Sequence, residues 1–417
     1  MRAEAVKNVT PREYDVVVVG GGPAGLSAAA AIASAGRSVL VLEKGGELGG
    51  PIRPSGGSWV AELQALGIPE RLYHRVRELS FLGPRSELRF DFGETPCLCV
   101  LDVRGLYQYL GEQAVAAGAR LRLKATVREP LLRDGVTVGV RGVDAAGDPL
   151  HVTAAVVVDA SGHAAIVARR AGLADGRGRL GFGAEYDLFA PHFDQQRAVL
   201  AVGDRFAPSG YAWAFPRGNG RVRVGSGVLR PDCQADPREH LDRLVASDVL
   251  DGAFRGASPI EYHTGLIPLD PPRRTLAADG LVLVGDAGGQ ASALVGEGIR
   301  FAIVAGRMAA DVVVASLAAD DVSATALNAY TRAWRRRWGR NLEVAFHVSR
   351  RLSEYDDATW ERRLALLGAL TPPQFAQGLQ THFTLRWALG LLLTNPALWR
   401  FAFNRALRGL WRPSPAG

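Results

Sequence analysis

Residues 14 to 42 pass through three hydrophobic patterns in quick succession. Tyr14-Asp15-Val16-Val17-Val18-Val19 is a β-branched run without polar alternation, the pattern of a strand covered on both faces. It stops at Gly20-Gly21-Gly22-Pro23-Ala24-Gly25, after which Leu26 to Ala35 is rich in alanine and predicts a helix ended by Gly36. Ser38-Val39-Leu40-Val41-Leu42 is a second buried strand, finishing on Glu43. Strand, helix and strand in so short a span predict a βαβ unit with parallel strands.

Beyond it the pattern loosens and then returns. Gly45 to Gly57, GGELGGPIRPSGG, is too rich in glycine and proline for a regular element and predicts a loop. Ser58 to Leu66 reads as a helix, Leu79 to Phe92 as strand, and Asp102 to about Gly118 as a helix; strands follow over Arg120 to Arg128 and Gly135 to Val143. Ala154 to Val158 is another buried strand, closed by Asp159-Ala160-Ser161-Gly162. Leu173 to Pro271 is strand-rich, with period two in Arg221-Val222-Arg223-Val224, which predicts a second, antiparallel domain. Leu281-Val282-Leu283-Val284 resumes the buried parallel type and ends at Gly285-Asp286-Ala287; Glu297 to Leu317 is a long helix, and helical patterns continue to the end. The expected architecture is α/β: a discontinuous nucleotide-binding domain (1–50, 96–170, 275–325), a substrate domain inserted into it (51–95, 171–274), and a helical C-terminal region (326–417).

The first turn carries chemistry. In Gly20-x-Gly22-x-x-Gly25, Gly20 allows the tight turn, Gly22 lets backbone approach a pyrophosphate, and Gly25 lets helix and strand pack closely. The helix start, with Pro23 and Ala24, offers free N–H groups and the positive end of its dipole to phosphate. Glu43, 18 residues after Gly25, is placed to accept from a ribose hydroxyl, beside Lys44. Gly285-Asp286 ends a distant strand with a second acid for a polyol chain, and the helix opening at Gly296-Glu297-Gly298-Ile299 can aim amides at an electron-rich ring.

Composition narrows the class. A hydrophobic share of 47% with 22% charged residues belongs to a chain with a sizeable core. Three cysteines, Cys97, Cys99 and Cys233, cannot make a disulfide framework, so a reducing cytoplasm is expected, and buried reduced thiols are the expected state of the Cys97-x-Cys99 pair. The start of the chain lacks the apolar stretch of a signal peptide, and Trp387 to Trp399, interrupted by Asn395 and Pro396, is the nearest approach to a spanning segment. The eight histidines show no metal-ligand spacing, so no metal is expected. The net charge of +7 is concentrated after residue 330, where 14 Arg face 5 acidic residues. No nucleic-acid-binding motif accompanies this basicity, which fits acidic lipid headgroups better. Arg400, Arg405, Arg408 and Arg412 lie among Trp and Phe, as in a helix on a membrane surface at the inner face of the cell membrane; a helix capping the substrate domain is the equal alternative.

The stretches DVVVVGGGPAGLSAAAAIASAGRSVLVLEK, DASG at 159–162 and LVLVGDAGGQASALVGEGIRFAIVAGRMAA at 281–310 resemble the cofactor segments of glutathione-reductase-type flavoproteins on the p-hydroxybenzoate hydroxylase plan. Gly210-Tyr211-Ala212-Trp213-Ala214-Phe215-Pro216 and Gly265-Leu266-Ile267-Pro268-Leu269 are similar to the geranylgeranyl reductases within that group. The resemblance covers roughly residues 14 to 325. It implies a Rossmann-like FAD domain, FAD as cofactor, and contacts from Gly56, Arg104, Val127, Asp159 and Gly162 in addition to the glycines and acids above.

It further implies an FAD-dependent reductase that saturates C=C bonds of an isoprenoid chain, fed by an external electron donor of NAD(P)H or ferredoxin type. Tyr211, Trp213 and Phe215 alternate, share one strand face, and form the expected wall against the apolar substrate, with Trp59 a further candidate. Archaeal-type relatives carry a cysteine in the glycine-rich loop, where this chain has Ser55 and Ser58. No side chain stands out as proton donor. The alternatives are an FAD monooxygenase or epoxidase on the same plan, and a non-catalytic prenyl-chain carrier. A halogenase is disfavoured, because Gly45 to Leu123 holds no lysine and Tyr211-Ala212-Trp213 replaces Trp-x-Trp.

Overall fold

The structure, a computed structural model, describes residues 12–52, 54–94, 97–174 and 178–394. Its first sheet runs in the order Ala277–Ala278, Leu281–Leu283, Pro149–Asp159, Tyr14–Val19, Val39–Leu42, Arg120–Arg122. Tyr14–Val19 is flanked by parallel neighbours on both sides, with Val17 opposite Val157 and Leu40. That central place, covered above and below, is why its valines need no polar alternation: Val16, Val17 and Val18 are all fully buried. The edge strand Ala277–Ala278 pairs antiparallel.

One face of this sheet carries helices Pro23–Ser34, Val103–Ala116 and Ile299–Ala318. Two of them cross closely at Gly306, where a Cβ would lie 2.2 Å from the Ala24 carbonyl oxygen. Ile299–Ala318 is long and apolar enough to span a membrane, a candidate the sequence pattern did not offer. Phe301, Ile303, Ala309 and Val313 are buried against the sheet and the opening helix, so it is the central core helix. The opposite face is covered by helix Ile166–Arg170 and the hairpin Thr126–Arg133/Val136–Val143.

A second sheet has seven strands in the order Ser258–Pro268, Leu180–Phe189, Arg221–Arg230, Ala207–Gly218, Arg197–Gly203, Glu78–Leu82, Glu87–Asp91. The expectation of an antiparallel sheet needs correcting at one seam: Arg197–Gly203 pairs parallel with Glu78–Leu82. The hairpin 78–91 arrives from an earlier excursion of the chain, so no tight turn dictates its direction against the sheet edge. Helix Pro237–Ala246, capped by Asp236, interrupts the strand-rich region and covers one face with Leu241 and Leu244. Gly57–Trp59 is a strand rather than the start of a helix, because it pairs with Leu98–Leu101 in a small third sheet; the helix begins at Val60.

The C-terminal helices bind the two sheets together. Trp334 and Trp338 pack on the Phe301 side of the core, whereas Trp360, Leu364 and Phe375 pack on the second sheet. Phe375 stacks on Phe90 at 4.0 Å and meets Phe81 edge-on at 5.7 Å. Residues after 394, including Arg400, Arg405, Arg408 and Arg412, lie outside the described residues.

Candidate active site

A cavity of about 950 Å³ runs from the first glycine turn, along the ends of the parallel strands, to the space between the second sheet and the C-terminal helices. At its first end the three motif glycines have different neighbours. A Cβ on Gly20, whose φ is +111°, would lie 2.3 Å from the Ala160 carbonyl oxygen, and one on Gly25 would lie 2.2 Å from that of Gly20. Both positions need glycine for packing. A Cβ on Gly22 would meet nothing within 4 Å, so this backbone faces open cavity, as a pyrophosphate cradle must. The helix starting at Pro23 has no side-chain cap and no acid in its first turn. Its amides are thus left to an anion.

The Glu43 carboxylate accepts from the amides of Gly21 and Gly45, both at 2.7 Å. Each oxygen keeps a second lone pair for a ribose hydroxyl. Lys44, Val127 and Gly162 line the same end, and Gly56 lies on the cavity wall beside Gly57, next to the Phe215 ring. Three expected contacts do not reach the cavity wall. Gly25 is packed as described. Arg104 points to Glu47 and Glu261, at 3.9 and 3.8 Å. Asp159 is fully buried, and its carboxylate accepts from Ser161 N, Ser161 Oγ and Ala168 N. Burial pushes its pKa up against those bonds. It shapes the 159–168 turn beneath the site.

At the middle of the cavity, Gly285, Asp286, Gly296, Gly298 and Ile299 line the wall together. The Gly285 amide donates to Gln290 Oε1 at 2.7 Å, and Gln290 Nε2 donates to Tyr330 Oη at 2.6 Å. These buttresses were not legible, since Tyr330 comes from the C-terminal region. Helix Ile299–Ala318 again starts without a side-chain cap or an acid in its first turn. Two uncapped helix starts, an acid beyond each flanking strand and an open glycine backbone between them fit FAD.

Glu297 on this wall is held by Arg300, whose Nε and Nη2 donate to its two oxygens at 2.8 and 3.0 Å. Arg300 Nη2 also donates to the Gln380 carbonyl at 2.6 Å, and Ser292 Oγ lies 2.6 Å from Thr381 Oγ1. His382 stacks on Trp338 at 5.7 Å, with Nε2 3.3 Å from Glu62. Residues 380–382 are thereby latched to Ser292 and Arg300, and through Arg300 to Glu297 on the cavity wall.

The far end is apolar. Tyr211, Trp213 and Phe215 all line it, as do Trp59, Ser55 and Ser58, while Ala212 and Ala214 point into the opposite core. Leu200, Val202, Trp360, Phe375, Leu379, Phe383, Trp387 and Leu391 complete the lining. The Trp213 indole lies on a floor without side chains: a Cβ on Gly225 would be 2.2 Å from its ring, and Gly183 and Gly227 stand in close contact. Its Nε1 donates to Glu185 Oε2 at 2.7 Å. Arg223, fully buried, donates to the carbonyls of Pro54 and Ser55 and so ties the glycine-rich loop to this floor. Cys97 and Cys99 stand off the cavity; burial pushes Cys97 up to about 11 and Cys99 higher still, so both are thiols rather than nucleophiles. Among the described residues, no group of three metal-ligating side chains gathers.

Two family models match the chain, FAD dependent oxidoreductase over residues 15–190 and geranylgeranyl reductase catalytic domain over 182–267. Digeranylgeranylglycerophospholipid reductase 2 of Methanothermobacter thermautotrophicus is 33% identical over 339 residues, covering 79% of this chain and 86% of the relative. The reductase 2 of Methanopyrus kandleri is 31% identical over 399 residues, 94% and 98% of the two chains. A geranylgeranyl bacteriochlorophyll reductase-like protein from Thermoplasma acidophilum superposes with a TM-score of 0.82 at 24% identity, over 92% of this chain and 96% of its own. p-Nitrophenol 4-monooxygenase from Pseudomonas putida shares the fold at a TM-score of 0.68 and 17% identity, over 93% and 100%.

Proposed function

The chain belongs to the geranylgeranyl reductase family of FAD-dependent oxidoreductases, and from that premise we propose that it saturates carbon–carbon double bonds of an isoprenoid chain. The observation that carries this reading is the continuity of one cavity from the Gly22 cradle to an aromatic and aliphatic chamber. FAD bound in that cavity supplies, once reduced, a hydride. Gly20 to Ala24, Glu43 and Asp286 hold it; Tyr211, Trp213, Phe215 and Trp59 press an apolar chain toward the ring and exclude water. The electrons come from an external donor of nicotinamide or ferredoxin type.

The chain reaches its substrate at a lipid surface. Helix Leu385–Thr394 has two apolar faces: Trp387 and Leu391 line the cavity, whereas Leu385, Leu389 and Leu393 are 68%, 49% and 77% exposed. Spaced by four, those leucines form one outward stripe at the rim of an oily chamber.

The decisive experiment mixes dithionite-reduced holoprotein anaerobically with geranylgeranyl diphosphate and with geranylgeranylated glycerophospholipid. Reoxidation of the flavin with products heavier by two hydrogens per step supports the reading. Unchanged prenyl chains with both substrates overturn it, and oxygen-dependent insertion of an oxygen atom would assign monooxygenation instead.

A further inference from the structure

Saturating an alkene takes a proton as well as a hydride, and the cavity wall holds one acid suited to give it. Most titratable groups on that wall are already committed. Glu43 holds the glycine turn, Asp286 is one of the residues that would hold the cofactor, and Glu297 is clasped by Arg300. The Tyr211 hydroxyl donates to the Val295 carbonyl at 2.5 Å, and burial drives its pKa far up. Glu185 is different. It lies on the aromatic wall with its side chain 4% exposed; Oε2 takes the indole N–H of Trp213, and Oε1 has no hydrogen-bond partner, the nearest charge being Arg223 Nε at 3.8 Å. A buried carboxyl oxygen left unbonded is a cost that a fold retains for a reason.

The groups around it set its state. Arg223 on the adjacent strand and Arg217 on the Trp213 strand favour the carboxylate, as does the indole bond; Asp187, two residues along, opposes it. Burial outweighs them all and raises the carboxyl to about 7, near-equal between acid and base at neutral pH. Directly across the sheet from Glu185 is His263, also on the cavity wall, with Nε2 3.3 Å from the half-exposed Glu261. Burial lowers the His263 pKa, leaving a neutral imidazole able to pass a proton.

We propose that Glu185 is the acid of the reaction and that His263 and Glu261 return its proton from the surface. This rests on the alkene-reduction reading. One alkene carbon takes the hydride that the reduced cofactor supplies; the π pair forms a new C–H bond to the Glu185 proton at the other carbon; the O–H bond breaks and leaves carboxylate. The external donor restores the two electrons, one proton returns to the cofactor with them, either from the donor or from solvent, and solvent restores the Glu185 proton through His263.

The test uses the holoprotein and Glu185→Gln, whose amide oxygen can still accept from Trp213. Infrared difference spectra of the oxidised holoprotein, without substrate, should show a carboxylic-acid band that titrates near pH 7 and is missing in E185Q. In anaerobic single turnover the wild-type rate should fall about tenfold per pH unit above that point, and E185Q should be slower by roughly 100-fold or more with its flavin retained and the pH limb gone. No band lost in E185Q, or wild-type turnover in that variant, overturns the proposal; so does a flat wild-type profile, whether or not the variant folds. A band that titrates as expected in a protein that reduces no prenyl chain would instead strike down the functional reading, and the acid role with it.

Discussion

Gly20 and Gly22 stand two residues apart and should fail differently when changed. Gly20→Ala forces a Cβ to 2.3 Å from a carbonyl at φ +111°, so it should unfold the protein at lower temperature even without cofactor. Gly22→Val projects into open cavity; its apoprotein should melt as the wild type does, while the purified protein loses bound flavin. Thermal melts and absorbance after denaturation separate the two. Gly225→Ala attacks the other end, since its methyl enters the Trp213 ring; we expect about 1–3 kcal/mol of lost stability and slower prenyl reduction at full flavin occupancy. The glycine turn and Glu43 were legible from their spacing between two strands and a helix; alternation put the three aromatics on one strand face, and only the family resemblance gave that face a substrate. Asp159 was not, because an acid after a strand looks the same whether it meets a ligand or the amides of Ser161 and Ala168. Glu185 and Asp187 at period two look like a solvated face; only the neighbouring strands reveal Arg217, Arg221 and Arg223 covering them.

Among the elements, the parallel strands and their helices followed from hydrophobic runs, since a strand buried on both faces announces itself locally. The parallel seam at Arg197–Gly203 and the strand Gly57–Trp59 did not, because both are fixed by partners far away in sequence. Helix Leu385–Thr394 carries a prediction of its own. Replacing Leu385, Leu389 and Leu393 together by Ser removes apolar surface that touches no core, so flavin content and melting temperature should hold. Burying a leucine in a bilayer contributes ~1.5–3 kcal/mol and ~1.4 kcal/mol is a factor of ten, so loss of all three should lower co-sedimentation with anionic vesicles at least tenfold. Equal sedimentation of variant and wild type would place the membrane contact elsewhere.

For the whole molecule, the segment Gln380–His382 ties the C-terminal helices to the start of helix Ile299–Ala318 and so forms a latch beside the cavity. His382 is its titratable member. Burial beside Trp338 lowers its pKa, with Glu62 opposing and Arg300 reinforcing that shift. The native latch therefore binds fewer protons than the unfolded chain. Its contribution is full above the ordinary histidine value of about 6.5 and is lost as pH falls from there toward the lowered native value. Acidification below about pH 6.5 should thus raise hydrogen exchange in residues 372–394 before it does so in the strands 14–19 and 149–159. His382→Asn, neutral at every pH, should flatten that dependence while leaving the Arg300–Glu297 clasp in place. An exchange pattern in H382N that still follows acid as the wild type does would move the sensitivity from this imidazole to another group.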